Sequence, residues 1–405
     1  MLSRVFVLSL LAATGAGGIA SHPVQAQEPI KIGLSGPFTG GSSSLGAGIR
    51  DGAKLAGEEI NAAGGVDVGG AKRPIQFIER DDQAKNDLGK KIAQELIGEQ
   101  KAVAAVGFAN TGVALASQHF YQEAHIPVMN CVATGTKVAK QFPPPNYIFR
   151  NSANDTIQSG MIAEETVTRR GIKYVAIFAD TTNYGQLGRV DLEIALSRRD
   201  APPVDIEMFK IGEKNMIPQL TRAKEAGAQA ILTYTQGPEL AAIANGMEKL
   251  GWKVPIIGSW TLSSGSFMDL AGANSEGASM PQNFIQMPST PKRAAFVEAY
   301  QKRFGVDRMP SPVSAAQCYD AVYLLAAAIE QAKSTDGPKI LDALENLQKR
   351  IEGIVTTYDH PFSAEDHEAI TGNIPVWGLI ANSRVVAAHP EELRGTQAVR
   401  LKKKP

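Results

Sequence analysis

The chain is poor in the residues that catalytic and metal centres are built from. It has 2 cysteines and 6 histidines in 405 residues. Two cysteines cannot form a disulfide scaffold, and two separate, buried, small apolar side chains is the favoured reading of Cys131 and Cys318, ahead of a single disulfide. The histidines show no helical or zinc-type spacing, so no metal site is expected. No G-x-S-x-G elbow, G-x-G-x-x-G fingerprint or Walker lysine occurs. That argues against a hydrolase, a dehydrogenase or a nucleotide-binding enzyme, and no cofactor is expected. Charge of either sign is not in excess, with 41 basic and 41 acidic residues. Nucleic acid and anionic membranes are therefore poor partners, and the basic tail Arg400 to Lys404 reads as a solvated terminus. Beyond the amino terminus no stretch reads as long and apolar enough to cross a bilayer.

What is present begins with a leader. Met1 to Arg4 is a short basic region, Val5 to Ala13 an apolar one, and Val24-Gln25-Ala26 an A-x-A-like cleavage site. Gln27 stands where a lipoprotein would have cysteine. The expectation is a signal peptide over 1–26 and a soluble, exported chain that starts near Gln27. A chain of that length suits two domains.

Strand-like and helix-like segments alternate after the leader. Ile30 to Leu34, Pro74 to Glu79, Ala102 to Phe108 and Pro127 to Asn130 read as buried strands, separated by helical spacing over Asp87 to Gln100 and Ala114 to His125. A break at Phe142 to Pro145 is followed by the extended Tyr147 to Arg150. The grammar then restarts: strands at Tyr174 to Ala179, Val204 to Phe209, Ala230 to Thr235 and Pro255 to Gly258, with helices between. Three helices follow, and Ile354 to Tyr358 and Pro375 to Ala388 read as strands again. This predicts an α/β protein with two doubly wound parallel sheets in tandem.

Ligands of open α/β sheets bind at the carboxyl ends of the strands. The Gly/Ser-rich segment Gly36 to Gly48, with Ser43, Ser44 and Leu45, lies at one such end and at a helix amino terminus, where backbone N–H groups favour anions. Asn110 and Thr111 follow the third strand, and Ala133 and Thr134 the fourth; paired hydroxyls beside backbone donors can hold a carboxylate. Tyr184 occupies the matching position in the second half, and Gln236 and Trp260 end two of its strands. Asp81-Asp82 at a strand end reads as turn chemistry.

With those residues laid out, the chain resembles the periplasmic binding proteins of the leucine/isoleucine/valine type that serve ABC importers. The resemblance runs from about Ile30 to Ala388. It rests on I-K-I-G-L-S-G-P-F-T-G from Ile30, G-A-G-I-R-D-G-A-K-L-A from Gly46, E-I-N-A-A-G-G-V from Glu59 and E-R-D-D-Q-A from Glu79. N-Y-G at Asn183, P-E-L-A-A-I-A-N-G-M-E-K-L-G at Pro238 and Y-D-A-V-Y-L-L-A-A-A-I at Tyr319 complete it. The resemblance implies two lobes joined by three crossovers (a type I periplasmic binding protein), with 27–149 and 283–354 in lobe 1, and 150–282 and 355–405 in lobe 2. It also implies a monomer in the periplasm that closes on its ligand and hands it to an inner-membrane permease, without enzymatic activity. Thr111 and Thr134 match groups that hold an α-carboxylate, and Tyr184 a ligand-covering tyrosine. Three positions depart from the family: Leu45 and Gln236 replace tyrosines, and Trp260 replaces the acid that pairs with an α-ammonium. A buried ammonium without a counter-charge is costly, so the departures favour a small carboxylate with an aromatic or other apolar body. A cation–π contact to Trp260 keeps an amino acid as the alternative. A ligand-presenting sensor and an exported α/β enzyme are the rival functions.

Overall fold

The computed structural model describes Met1 and residues 27–287 and 289–393; the expected leader over 2–26 and the basic tail lie outside the described residues. Alternation of β and α segments continues through both halves. The first runs β1 (Ile30–Gly36), α1 (Ser43–Ala62), the hairpin β2 (Val66–Val68) and β3 (Ala71–Arg73), β4 (Ile75–Asp81), α2 (Asn86–Gly98), β5 (Ala104–Gly107), α3 (Thr111–Glu123), β6 (Val128–Asn130) and β7 (Ile148–Arg150). The second runs α4 (Asp155–Ala163), β8 (Val175–Asp180), α5 (Asn183–Ser197), β9 (Asp205–Phe209), α6 (Ile217–Glu225), β10 (Ala230–Tyr234), α7 (Gly237–Lys249), β11 (Ile256–Gly258), α8 (Gly265–Ala271) and β12 (Ser279–Gln282). Then come α9 (Pro291–Phe304), α10 (Pro312–Ala332), α11 (Gly337–Glu345), the short pair β13 (Ile351–Glu352) and β14 (Thr357–Tyr358), and finally β15 (Val376–Ala381) and β16 (Arg384–Ala387).

The first sheet is parallel throughout, in the order β4-β1-β5-β6-β7. The second repeats that order with its own strands, β9-β8-β10-β11-β12, and adds β15 and β16 antiparallel at the edge. Each lobe is thus a doubly wound 2-1-3-4-5 sheet, and β8 with its six buried residues has the continuous apolar character of a strand covered on both faces. The chain passes from the first lobe to the second after Arg150, returns after Gln282, and crosses a third time before β15. The residues before that third crossing, Phe362, Ala369, Ile370 and Ile374, pack in the first lobe's core, and Glu368 bridges to Arg150 on β7.

The core of the first lobe forms where α10 lies along α1. Close approach there requires glycine: a Cβ on Gly52 would stand 2.2 Å from the Ala315 carbonyl oxygen. α10 corrects one expectation, because it has the length and apolar composition of a membrane span; 94% of that window is buried inside the protein, as in a core helix. The cysteines correct another. Cys131, just after β6, and Cys318, on α10, are joined as a disulfide across a Cα–Cα distance of 5.0 Å, not separate thiols. Both side chains point into the same core from facing elements, a proximity that their separation of 187 residues hides in sequence.

Candidate functional site

In a 2-1-3-4-5 sheet the loops diverge between the first strand and its neighbour on the other side, which opens a crevice at the strands' carboxyl ends. Here the two crevices face each other. The first lobe's lies after β1 and β5, the second's after β8 and β10, and between them is a cavity of about 770 Å³. Its first wall is made by Gly41 and Ser42, by Gln83 to Leu88 and by Asn110 to Gly112; its second by Thr181 to Tyr184, Gln186, Ile211, Gln236, Pro238 and Glu239.

The walls are largely helix amino termini. Ser42, Lys85, Asn110, Thr182 and Gln236 are the N-cap residues of α1, α2, α3, α5 and α7, and none uses its side chain to cap its helix. Backbone donors at these ends, with the positive end of each helix dipole, favour anions in the space they face. Thr111, 1% exposed, accepts from the Gly135 N–H at 3.1 Å, which leaves its hydroxyl hydrogen to donate. Lys85 Nζ donates to Gln83 Oε1 and forms no ion pair among the described residues. Beneath this loop Asp82 accepts from Ser35 and from the Ala84 N–H. Burial pushes its carboxyl up to about 6 against those hydrogen bonds. Asp81 receives the N–H groups of Phe38, Thr39 and Gln83, so the acidic pair does turn chemistry.

The walls touch beyond the cavity. Thr136 of the first lobe donates to Asp191 on α5 at 2.5 Å. A Cβ on Gly112 would stand 2.7 Å from Asn86 Oδ1 and 3.0 Å from Asn183 Oδ1, so amides from both lobes reach this glycine.

The predicted site residues divide into three groups. Asn110, Thr111, Tyr184 and Gln236 line the large cavity. Tyr184 turns its hydroxyl inward to Ser259 at 2.5 Å. Thr134 and Trp260 instead line a separate pocket of about 10 Å³ at the hinge, with Ala153, Gln158, Pro281, Asn283, Val313 and Gln317. Trp260 is 6% exposed and belongs to the first lobe's core cluster; its backbone N–H donates to Gln158 Oε1, and its indole N–H has no partner among the described residues. Beside it Asp155, at the start of α4, is fully buried near Thr134, and burial raises its carboxyl to about 7. The third group, Ser43, Ser44, Leu45 and Ala133, lines neither space. The serines open α1, with the loop ending one residue earlier, and Leu45 and Ala133 are core residues. The sequence reading missed Gln83 to Leu88 and Glu239. The strand-end rule that found Asn110 would have found the first of these, because β4 ends at Asp81.

A model of the periplasmic binding protein family matches residues 29–374. The chain is 26% identical over 345 residues to a leucine-, isoleucine-, valine-, threonine- and alanine-binding protein of Pseudomonas aeruginosa, covering 85% of this chain and 87% of that one. The branched-chain amino acid transporter substrate-binding protein of Streptococcus pneumoniae, solved with isoleucine, superposes with a TM-score of 0.77 at 25% identity, over 89% of this chain and 98% of that one. An ABC transporter solute-binding protein of R. palustris, solved with 4-hydroxybenzoate, superposes at 0.74 with 18% identity, over 89% and 95%, a likeness of fold.

Proposed function

The chain belongs to the periplasmic binding protein family, and we propose that it is the solute-binding component of an ABC importer that captures a small carboxylate. One observation carries the ligand class: five helix amino termini without side-chain caps and the Thr111 hydroxyl converge on the cavity between the lobes. Such a surface stabilises a carboxylate through backbone donors and dipoles, without a buried cation. The work is conformational. Ligand contacts made to both walls at once favour the closed arrangement, which the inner-membrane permease then recognises. The protein acts as a periplasmic monomer after loss of residues 1–26, and it releases its acid unchanged.

The lobes are taken as 27–149 with 283–354, and 150–282 with 355–405; the packing of Phe362 to Ile374 on the first lobe's core supports a third crossing nearer residue 375. A branched-chain amino acid is the second reading, favoured by the relative from Pseudomonas aeruginosa. Thermal-shift screening of the mature protein against amino acids and aromatic acids tests both, since a ligand that binds only the folded state raises the melting temperature. A shift with acids lacking an ammonium group supports the carboxylate reading. Shifts confined to leucine-like amino acids favour the second reading, and conversion of a bound acid by the protein would contradict a receptor.

A further inference from the structure

The first lobe's wall suits a carboxylate; the second lobe's wall carries different chemistry. Gln236 caps the amino end of α7 at the β8–β10 crevice and lines the cavity. It is 8% exposed, and its side-chain amide makes no hydrogen bond among the described residues. A carboxamide offers two donors and an acceptor, and inside a closed cleft each one left unpaired weakens closure. Two acids lie on this side, Glu239 at 2% exposure, which lines the cavity, and Asp180 at 0%, which does not. Burial holds both carboxyls above the usual range, and the Asp180 charge adds to the effect on Glu239. Asp180 accepts from Thr182, and Glu239 from the Gly212 N–H; neither pairs with a lysine, arginine or histidine among the described residues. The unpaired cation of the cleft, Lys85, stands on the opposite wall. The two walls of the cleft therefore differ: Lys85 and Asp87 stand with the α2 and α3 amino termini on one, and Glu239 and a partnerless amide stand with the α5 and α7 amino termini on the other, Asp180 being buried behind it.

We propose that the captured acid carries a hydrogen-bond donor (a hydroxyl, carboxamide or ammonium group) at the end remote from its carboxylate, and that Gln236 reads it. The inference rests on the carboxylate reading of the cleft. A plain hydrocarbon end would strand the Gln236 amide on closure, and a second carboxylate would meet Glu239 on the same wall. Sites built to hydrogen-bond a ligand group discriminate strongly against analogues that lack it. Gln236 is thus a specificity residue, standing where the family resemblance implies a tyrosine.

Isothermal titration of the mature protein with two matched pairs, 4-hydroxybenzoate against benzoate and glutamine against methionine, tests this. In at least one pair the donor-bearing member should bind roughly 100-fold tighter or more. In the same titrations terephthalate, with its second carboxylate, should bind no better than benzoate. Gln236→Met, which keeps the side chain's length, should cut that preference to below about tenfold while the melting temperature of the unliganded protein holds. Binding of both members within about threefold, a preference that survives Gln236→Met, or tight terephthalate binding overturns the inference alone. Absence of binding by all five compounds overturns the carboxylate reading and the inference with it.

Discussion

The cleft and the hinge pocket both lie between the lobes and both are rich in polar side chains, yet they leave very different amounts of space. Around Trp260 several amides bond within the chain, while Asn283 Oδ1 and the indole N–H of Trp260 are buried without a partner among the described residues. Gln317 donates to the Cys131 carbonyl and accepts from Asn283, Asn151 donates to the Gln317 carbonyl, and Gln282 donates to the Trp260 carbonyl. What remains is a space of about 10 Å³, on the order of one water. In the cleft the amides and N-caps make few such bonds, and about 770 Å³ stays open, well within the range of small-molecule sites. Side-chain bonds between the crossing segments leave almost no space at the hinge, whereas the cleft keeps room for a ligand. Residue type alone does not distinguish the two roles.

The sharpest way to break the hinge side is through Arg150. It is fully buried at the first crossing, donating Nε to Glu368 at 2.8 Å and Nη1 to the Gly135 carbonyl at 2.7 Å, with Nη2 also on Glu368. Glu368→Ala leaves that guanidinium without its counter-charge, and the expected loss, read by urea unfolding, is about 3–5 kcal/mol. Next is the disulfide that ties β6 to α10. The double change Cys131→Ser with Cys318→Ser should cost about 2–4 kcal/mol in the same assay, with acid affinity little changed because neither residue lines the cleft.

Asp155 gives a smaller, pH-dependent effect. Burial raises its carboxyl to about 7, with Arg150 opposing and Asp191 and Glu368 adding to the rise. A folded-state value above the unfolded one means that the native protein binds the extra proton. Its contribution to stability is fully present below about pH 4 and is lost as pH rises through about 7. Asp155→Asn should therefore be more stable than the parent at pH 8 than at pH 4, by on the order of 2–3 kcal/mol, measured by denaturant titration at the two pH values. An equal difference at both pH values would contradict the assignment. The mildest change lies in the cleft: Thr111→Val should weaken binding of the acid by about 1–2 kcal/mol, with a modest fall in the melting temperature of the unliganded protein because the Gly135 N–H loses its acceptor. A fall in melting temperature without a change in affinity would move Thr111 to the structural side of the comparison.

Much of this architecture is legible in the sequence, because buried parallel strands write their burial directly: Ile30 to Leu34 and Tyr174 to Ala179 need no context to be recognised. β12 does not read as a strand, since Ser279-Met280-Pro281-Gln282 has little β character and owes its pairing to β11 and β15. The helix expected over Asp155 to Arg170 holds to Ala163 and continues as a π-helical turn over Glu164–Arg169, in which Arg170 reaches Glu165. For the site, strand ends give the positions of Asn110, Thr111, Tyr184 and Gln236, because the doubly wound order puts them at one crevice. They do not say which strand ends share a cavity. Trp260 and Gln236 both follow strands of the second lobe, and only the packing of the crossing segments separates the hinge pocket from the cleft.

A crystal structure of the protein with the tightest acid found by thermal shift tests this separation most directly. The account predicts the acid in the large cleft, its carboxylate at Thr111 and the amino end of α3, its far end at Gln236, and the Trp260 pocket still closed. An acid seated against Trp260 and Thr134, with that pocket opened and Gln236 untouched, would contradict it.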